Sequence, residues 1–283
     1  MIIWLTSYPK SGNTWVRSFL SSLIYTEDGN ANFDSIKKIS QYPLRSHFKG
    51  ISSNIDDIHT LAENWINSQD LLNLDNKIKI LKTHHVMCNF GKHSFTNLEN
   101  TFGVIQIVRD PRNVITSLLN YFEKEDYQEA KQFIFDEKKV IGLNLSLKQQ
   151  NKLKDNNIIT LISSWKTHFN SWKNFKKNHL LIKYENLIDN PESEFEKIRK
   201  YLKKKLNLSI SDEKFVKAIN SNSFYNLKKK EEKEGFSENI SKKKNSAFFN
   251  LGPNNDYKKL LDPIISREIE KNFHLEMKEL GYL

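Results

Sequence analysis

Residues 8 to 15 read YPKSGNTW and place a lysine, a glycine and small polar side chains in one short stretch. The stretch follows an apolar segment, and the residues after it carry an apolar repeat of helical spacing at Val16, Phe19, Leu20, Leu23 and Ile24. A turn from a strand into a helix presents backbone N–H groups and the positive end of the helix dipole. The pattern therefore predicts an anion-binding loop, in which Gly12 lets the backbone approach a ligand and Lys10 adds a mobile charge.

The loop differs from the common mononucleotide loop, G-x-x-x-x-G-K-[ST], in which the lysine follows the last glycine. Here Lys10 precedes Gly12, no glycine comes earlier, and no obvious magnesium-binding carboxylate follows a strand. A P-loop kinase that acts on a nucleoside or a small molecule is one function that such a loop could serve, and it is kept below as the alternative.

The same eight residues resemble the 5′-phosphosulfate loop of the cytosolic type of PAPS-dependent sulfotransferases, where PAPS is 3′-phosphoadenosine 5′-phosphosulfate. The common form in that family is YPKSGTTW, so Asn13 is the one departure. The resemblance implies that Lys10 is catalytic and that the loop binds the cosubstrate through Lys10, Ser11, Gly12, Asn13 and Thr14.

Residues 107 to 122, IVRDPRNVITSLLNYF, are similar to the family's 3′-phosphate segment. The resemblance implies Arg109 and Ser117 as contacts to that phosphate. The spacing agrees with this role, because an arginine at a strand end offers a two-pronged donor and Ser117 follows about two helical turns later. Arg112 ranks below Arg109 as a ligand contact.

Residues 81 to 85, LKTHH, resemble the family's K-T-H at a strand end. This implies His84 as the general base and Lys82 as a charge-stabilising partner. Strand residues alternate in direction, so only one of the two histidines is expected to face a cleft, and His85 is expected to be structural.

Two further segments resemble the family's nucleotide contacts. YENL at 184 to 187 is similar to Y-E-D/N-L and implies Tyr184 at the cosubstrate. NSFYNL at 222 to 227 is similar to the segment that closes over adenine, which implies Phe224 and Trp15 as opposing ring contacts. The remaining large aromatics, Trp165 and Trp172 among them, are expected in the core.

One segment departs from the family, which usually carries R-K-G-x-x-G-D-W as a second 3′-phosphate clamp. This chain reads NLGPNNDY from Asn250 to Tyr257, without the arginine and lysine. Lys242, Lys243 and Lys244, in a lysine-rich stretch from 228 to 244, are one alternative source of charge.

The elements that would position these residues alternate between strand and helix. Buried strands are predicted at Ile2–Leu5, Ile78–Leu81, Val104–Val108 and Leu180–Ile182. Asp110 and Pro111 predict one helix start, and Asn190 and Pro191 predict another. The pattern indicates an α/β fold with a parallel sheet covered on both faces, and the resemblance implies a three-layer αβα, P-loop-NTPase-like sulfotransferase fold.

Three weakly periodic stretches, 26–76, 123–160 and 226–259, interrupt this alternation. Insertions of this kind on such scaffolds usually form lids and substrate walls. We predict one sulfotransferase domain over residues 1–283, with these stretches on the lid or acceptor side.

Composition narrows the setting. Cys88 is the only cysteine, which excludes an internal disulfide and a cysteine-cluster metal site and favours a cytoplasmic protein. No leader or apolar run long enough to span a membrane is expected. The net charge of +10 fits an anionic ligand, and nucleic-acid binding is disfavoured because no basic-helix or RNA-recognition pattern accompanies it.

The resemblance implies transfer of a sulfuryl group from PAPS to an acceptor hydroxyl, with an amine as the less favoured acceptor, and release of adenosine 3′,5′-bisphosphate. It implies no metal, and no HExxH motif or carboxylate cluster accompanies the histidines. The expected acceptor is a small molecule or a saccharide, and a homodimer is one expected assembly.

Overall fold

The computed structural model describes residues 1–121, 126–142, 158–238 and 247–283. Contacts between Cα atoms divide the chain into two compact units. The first unit comprises Met1–Tyr8, Ile39–Gln106 and Asp136–Leu181. The second unit comprises Pro9–Lys38, Ile107–Phe135 and Ile182–Leu283.

The strands are β1 (Ile2–Ser7), β2 (Lys79–Thr83), β3 (Asn89–Phe90), β4 (His93–Ser94), β5 (Thr101–Val108), β6 (Val140–Ile141), β7 (Thr160–Leu161) and β8 (His179–Lys183). In the described residues they cover the four predicted segments except Ile78, which directly precedes β2. The main sheet has the order β2-β1-β5-β8. β1 and β2 pair in parallel, with Ile3 beside Ile80 and Thr6 beside Thr83, as predicted. Two short antiparallel pairs, β3 with β4 and β6 with β7, lie outside this sheet.

Helices follow β1, β5 and β8 directly, as the alternation predicted. They are α1 (Asn13–Tyr25), α2 (Phe33–Ile36), α3 (Ile58–Glu63), α4 (Trp65–Asn73), α5 (Pro111–Tyr121), α6 (Tyr127–Phe135), α7 (Trp165–Lys173), α8 (Tyr184–Asp189), α9 (Pro191–Leu206), α10 (Asp212–Ser221), α11 (Phe224–Glu234), α12 (Tyr257–Leu260), α13 (Pro263–Asn272) and α14 (His274–Glu279). Short 3₁₀ turns cover Arg45–Phe48 and Gly252–Asn254.

Both predicted helix starts are confirmed. The Asp110 carboxylate accepts a hydrogen bond from the Arg112 backbone N–H at 2.9 Å, one residue after Pro111 opens α5. The Asn190 side-chain oxygen accepts one from the Ser193 N–H at 3.1 Å at the start of α9. Each cap satisfies a backbone donor that the first helical turn would otherwise leave without a partner.

The core of the first unit is aromatic. Trp4, Trp65, Phe95 and Trp172 are fully buried, and the Trp4 indole donates to the Thr101 hydroxyl at 3.0 Å. Trp65 comes from the weakly periodic stretch 26–76, which therefore contributes to the core. Its weak periodicity arises because short helices α3 and α4 supply only a few buried positions each.

The second unit packs α1 against α9 and α10. The rings of Phe19 and Phe195 stack with centroids 3.8 Å apart, and Phe215 meets Phe19 edge-on. These ring contacts hold α1 against α9 and α10, and so fix the position of the helix and of its N-terminal turn. Among the described residues, no helix has the length and apolar character that crossing a membrane requires.

Candidate active site

The loop between β1 and α1 has an unusual backbone. Lys10 (φ 66°) and Gly12 (φ 97°) both lie in the left-handed region, on either side of Ser11. A non-glycine residue in this region is strained, and such strain gathers at ligand-binding loops. Helix α1 begins without a side-chain cap, and the buried Ser11 hydroxyl has no hydrogen-bond partner in the described structure. The uncapped backbone N–H groups at the start of α1 and the Ser11 hydroxyl are donors that an anionic group could accept from.

Gly12 is required by its neighbour as well as by its backbone angle. A Cβ atom built on Gly12 would lie 2.4 Å from Cδ2 of Tyr184, which is far inside van der Waals contact. The Tyr184 ring therefore lies directly against the loop, and any larger residue at position 12 would displace it.

Arg109 joins the same group in the second unit. Its guanidinium lies 4.1 Å from the centroid of the Tyr184 ring, and its Nη1 donates to the Lys10 carbonyl at 3.0 Å. The structure thus brings together three elements that are distant in sequence: the loop, the end of β5 and the start of α8. Ser117 lies on α5, eight residues after Arg109, and is partly buried.

Arg112, which was ranked below Arg109 as a ligand contact, has a different environment. It pairs with the Asp110 carboxylate at 2.7 Å and with Glu270 at 2.6 Å, and it lies over the Tyr257 ring at 4.1 Å. Two carboxylates accept from the N–H groups at the edge of this guanidinium and a ring lies over its face, which is an environment typical of a structural arginine.

The predicted aromatic contacts lie around one cluster. The Trp15 indole donates to the Asn222 carbonyl at 2.7 Å and meets the Tyr184 ring edge-on at 5.9 Å. Trp15 and Phe224 both pack against a cluster of buried apolar residues in the second unit, consisting of Ile36, Leu227, Phe236 and Phe249. Both predicted rings are therefore partly buried at this cluster.

Phe248 lies beside Lys10, a contact that the sequence did not predict. Its ring centroid lies 4.6 Å from the Lys10 ammonium. The backbone N–H groups of Phe248 and Phe249 donate to the two oxygens of Glu231, at 2.7 and 2.9 Å. Glu231 lies within a run of lysines and glutamates, and nothing in that run predicts that it binds these two N–H groups. The two consecutive phenylalanines after a polar stretch are the signal in the sequence that could have indicated a buried contact.

The departing segment NLGPNNDY lies against Phe224 and α5. A Cβ on Gly252 would lie 2.3 Å from the Phe224 ring. Asn255 is buried, accepts a hydrogen bond from the Thr116 hydroxyl at 2.7 Å and donates to the Asn113 carbonyl at 2.9 Å. Amide hydrogen bonds thus hold this segment beside α5. Lys242, Lys243 and Lys244 lie outside the described residues.

His84 belongs to the first unit and directly follows β2. Its Nδ1 lies 2.7 Å from the carbonyl oxygen of Ser7. A carbonyl can only accept, so the neutral imidazole carries its hydrogen on Nδ1 and its lone pair on Nε2. This is the tautomer that a general base acting through Nε2 requires.

The neighbours of His84 in the first unit are buried. The Lys82 residue is 8% exposed and lies on β2, two positions before His84. His85 is fully buried, stacks on Phe95 at 4.0 Å and places Nδ1 2.6 Å from the Val86 carbonyl. Burial lowers the pKa of His85 to about 3, so it stays neutral and is structural, as expected.

The comparisons with known proteins agree on one family. A family model described as "Sulfotransferase domain" matches residues 2–281. Sulfotransferase 1 family member D1 of Mus musculus is 25% identical over 206 residues, which are 71% of this chain and 59% of that relative. The aligned stretch therefore spans less than two thirds of the relative's length.

Two solved structures are similar in fold. Mouse sulfotransferase SULT7A1, complexed with PAP, has a TM-score of 0.60 at 19% identity, with 98% of this chain and 84% of that chain covered. Retinol dehydratase, in complex with androsterone and inactive cofactor PAP, has a TM-score of 0.57 at 14% identity, with 98% and 80% covered. The fold is thus the sulfotransferase fold that the resemblance implied, and the chain belongs to the sulfotransferase family.

Proposed function

We propose that this protein transfers the sulfuryl group of PAPS to an acceptor hydroxyl and releases adenosine 3′,5′-bisphosphate. The observation that carries the proposal is the contact of Arg109 with both Tyr184 and the Lys10 carbonyl. This contact puts a second cationic donor beside the anion loop. PAPS differs from ATP in carrying a 3′-phosphate, which such a donor could bind. The family match supports the proposal and gives no support to the kinase alternative.

In this proposal the loop binds the phosphosulfate. Backbone N–H groups of Ser11, Gly12, Asn13 and Thr14 and the Ser11 hydroxyl donate to its oxygens. Lys10 stabilises the negative charge that builds on the leaving phosphate, and Lys82 is a second lysine that stabilises negative charge in the transition state. The transferred sulfuryl carries less negative charge than a phosphoryl group, so lysines and amide donors suffice for this chemistry.

Arg109 and Ser117 are proposed to bind the 3′-phosphate. A guanidinium offers parallel donors that match phosphate oxygens, and the Tyr184 ring holds one face of it. Trp15 and Phe224 are proposed as the ring contacts of the adenine.

His84 is the proposed general base. The Ser7 carbonyl holds the Nδ1 hydrogen, and the Nε2 lone pair accepts the acceptor's proton as attack begins. General-base catalysis of this kind contributes about 10² to 10⁴ in rate.

A small-molecule acceptor is supported by the fold neighbour that was solved with androsterone. A saccharide acceptor and a homodimer stay predictions from the sequence. We also propose a cytoplasmic location, supported by the single cysteine, Cys88.

Calorimetric titration with adenosine 3′,5′-bisphosphate and with ADP tests the proposal directly. We expect a clear preference for the 3′,5′-bisphosphate, together with sulfuryl transfer from labelled PAPS to an acceptor. Phosphoryl transfer from magnesium-ATP, with no affinity for the bisphosphate, would establish the kinase instead.

A further inference from the structure

Glu185 connects the two residues that form the Arg109–Tyr184 contact. It directly follows Tyr184 in the sequence, and Asp110 directly follows Arg109. Oε1 of Glu185 accepts a hydrogen bond from the Asp110 backbone N–H at 2.9 Å. The bond therefore ties the residues that follow β5 to the start of α8, next to the Arg109–Tyr184 contact.

The second oxygen of Glu185 is held by Tyr282. The Tyr282 hydroxyl donates to Oε2 at 2.8 Å. Tyr282 is itself fixed, because its carbonyl accepts from Arg112 Nη2 at 2.8 Å and its ring lies 4.6 Å from the Lys183 ammonium. Both oxygens of the carboxylate thus have donors on rigid neighbours.

A carboxylate with both oxygens bonded has little freedom to rotate. Burial raises the pKa of Glu185, and the hydrogen bonds from Asp110 and Tyr282 offset part of that rise. Hydrogen bonds to a charged group in a partly buried site are stronger than those between neutral groups, so each one restrains its partner. Of the contacts described for these residues, none joins Glu185 or Tyr282 to the anion loop, so any effect on the nucleotide passes through Arg109 and Tyr184.

We propose that Glu185 and Tyr282 are positioning residues that hold the Arg109 guanidinium over the Tyr184 ring and so set recognition of the 3′-phosphate. The inference rests on the proposed function, because it assigns the 3′-phosphate to Arg109. It adds two residues to that site, one of which is 173 positions away from Arg109 in the sequence.

The first test is Tyr282→Phe, which removes the hydroxyl and keeps the ring beside Lys183. Dissociation constants are measured by calorimetry for adenosine 3′,5′-bisphosphate and for adenosine 5′-monophosphate, which lacks the 3′-phosphate. We expect binding of the bisphosphate to weaken about tenfold, which corresponds to one charged hydrogen bond, and binding of the monophosphate to stay unchanged.

Two further variants sharpen the comparison. Tyr257→Phe is the matched control, because it removes a hydroxyl from a ring that lies on Arg112 and leaves Glu185 untouched; both constants should stay as in the wild type. Glu185→Gln keeps an acceptor for Asp110 and can donate to the Tyr282 hydroxyl, so it should bind the bisphosphate within about twofold of wild type. Glu185→Ala should behave like Tyr282→Phe.

The outcomes separate this inference from the proposed function. An unchanged bisphosphate constant in Tyr282→Phe overturns the inference, and so does equal weakening for both nucleotides, which is the result of general loosening. A wild-type protein that does not prefer the bisphosphate overturns the proposed function and the inference with it.

Discussion

The Ser7 carbonyl determines which nitrogen of His84 carries the hydrogen. The 2.7 Å contact places the hydrogen on Nδ1, and the base proposed here acts through Nε2. A backbone acceptor cannot be removed by a side-chain change, so the tautomer is built into the end of β1. The orienting group of this base is therefore part of the sheet.

The first prediction concerns His84 itself. His84→Ala should lower turnover by about 10² to 10⁴ while the dissociation constant for adenosine 3′,5′-bisphosphate stays within about twofold, because only proton transfer is lost. Steady-state kinetics and calorimetry measure the two quantities. His274→Ala, at an exposed position on α14, is the control. Turnover equal to wild type in His84→Ala would remove the base from the mechanism.

The second prediction concerns Gly12. Gly12→Ala places a Cβ 2.4 Å from the Tyr184 ring at φ 97°, so it should abolish measurable nucleotide binding and lower stability. Gly50→Ala is a matched control, because Gly50 also has a positive φ, 83°, but a Cβ there meets nothing within 4 Å. It should cost only the backbone term of about 1–2 kcal/mol and leave binding intact. Equal behaviour of the two variants in denaturation and calorimetry would contradict this account.

At the scale of elements, α11 positions a segment that follows it. Glu231 accepts from two consecutive backbone N–H groups, and the ring that this holds in place lies over the Lys10 ammonium. Helix α11 therefore supports the loop indirectly, because its buried carboxylate holds the segment that contacts Lys10. The residues next to that carboxylate on the solvent side of the helix are lysines and glutamates.

The third prediction tests this arrangement. Glu231→Ala should lower the free energy of unfolding by about 2–3 kcal/mol, because one buried and one partly buried backbone donor lose their carboxylate acceptor. Glu232→Ala, at the next and exposed position, should change it by less than about 0.5 kcal/mol. Chemical denaturation measures both, and a loss in Glu231→Ala no larger than in Glu232→Ala would show that the two hydrogen bonds are unimportant.

The elements were largely predictable from the sequence, because their signals are local. The buried strands are short apolar runs, and Asp110 and Asn190 cap helices within three residues of their own position. The grouping of Lys10, Gly12, Arg109 and Tyr184 followed from motifs of the family. The contact of Arg112 with Tyr282, 170 residues away, depends on the path of the whole chain. Neither residue type indicates such a contact, so it could not be predicted from the sequence.

At the scale of the whole molecule, buried histidines link stability to pH. His85 and His168 are 0% and 2% exposed. Burial lowers the pKa of each to about 3, and for His168 the neighbouring His85 adds to the effect. Burial also lowers the pKa of His179, which adds in the same direction.

The fourth prediction follows from the sign of these shifts. Below about pH 6.5 the unfolded chain binds protons at these histidines and the folded chain does not, so stability is lost as the pH falls from 6.5 toward 3. His85 and His168 should each cost about 2 kcal/mol by pH 5, and His179 adds a loss of the same sign. Denaturation at pH 7.5 and pH 5 measures the difference. His168→Gln should remove part of the loss and His274→Ala none; a flat profile in the wild type would refute the prediction.

The chain's five tryptophans give this site its own optical reporter. Trp4, Trp65, Trp165 and Trp172 are at most 1% exposed, whereas Trp15 is only partly buried and lies edge-on to Tyr184. A water-soluble fluorescence quencher should therefore reach Trp15 alone among them. Protection of that accessible fraction by a bound nucleotide would follow occupancy in real time, without any label attached to the protein.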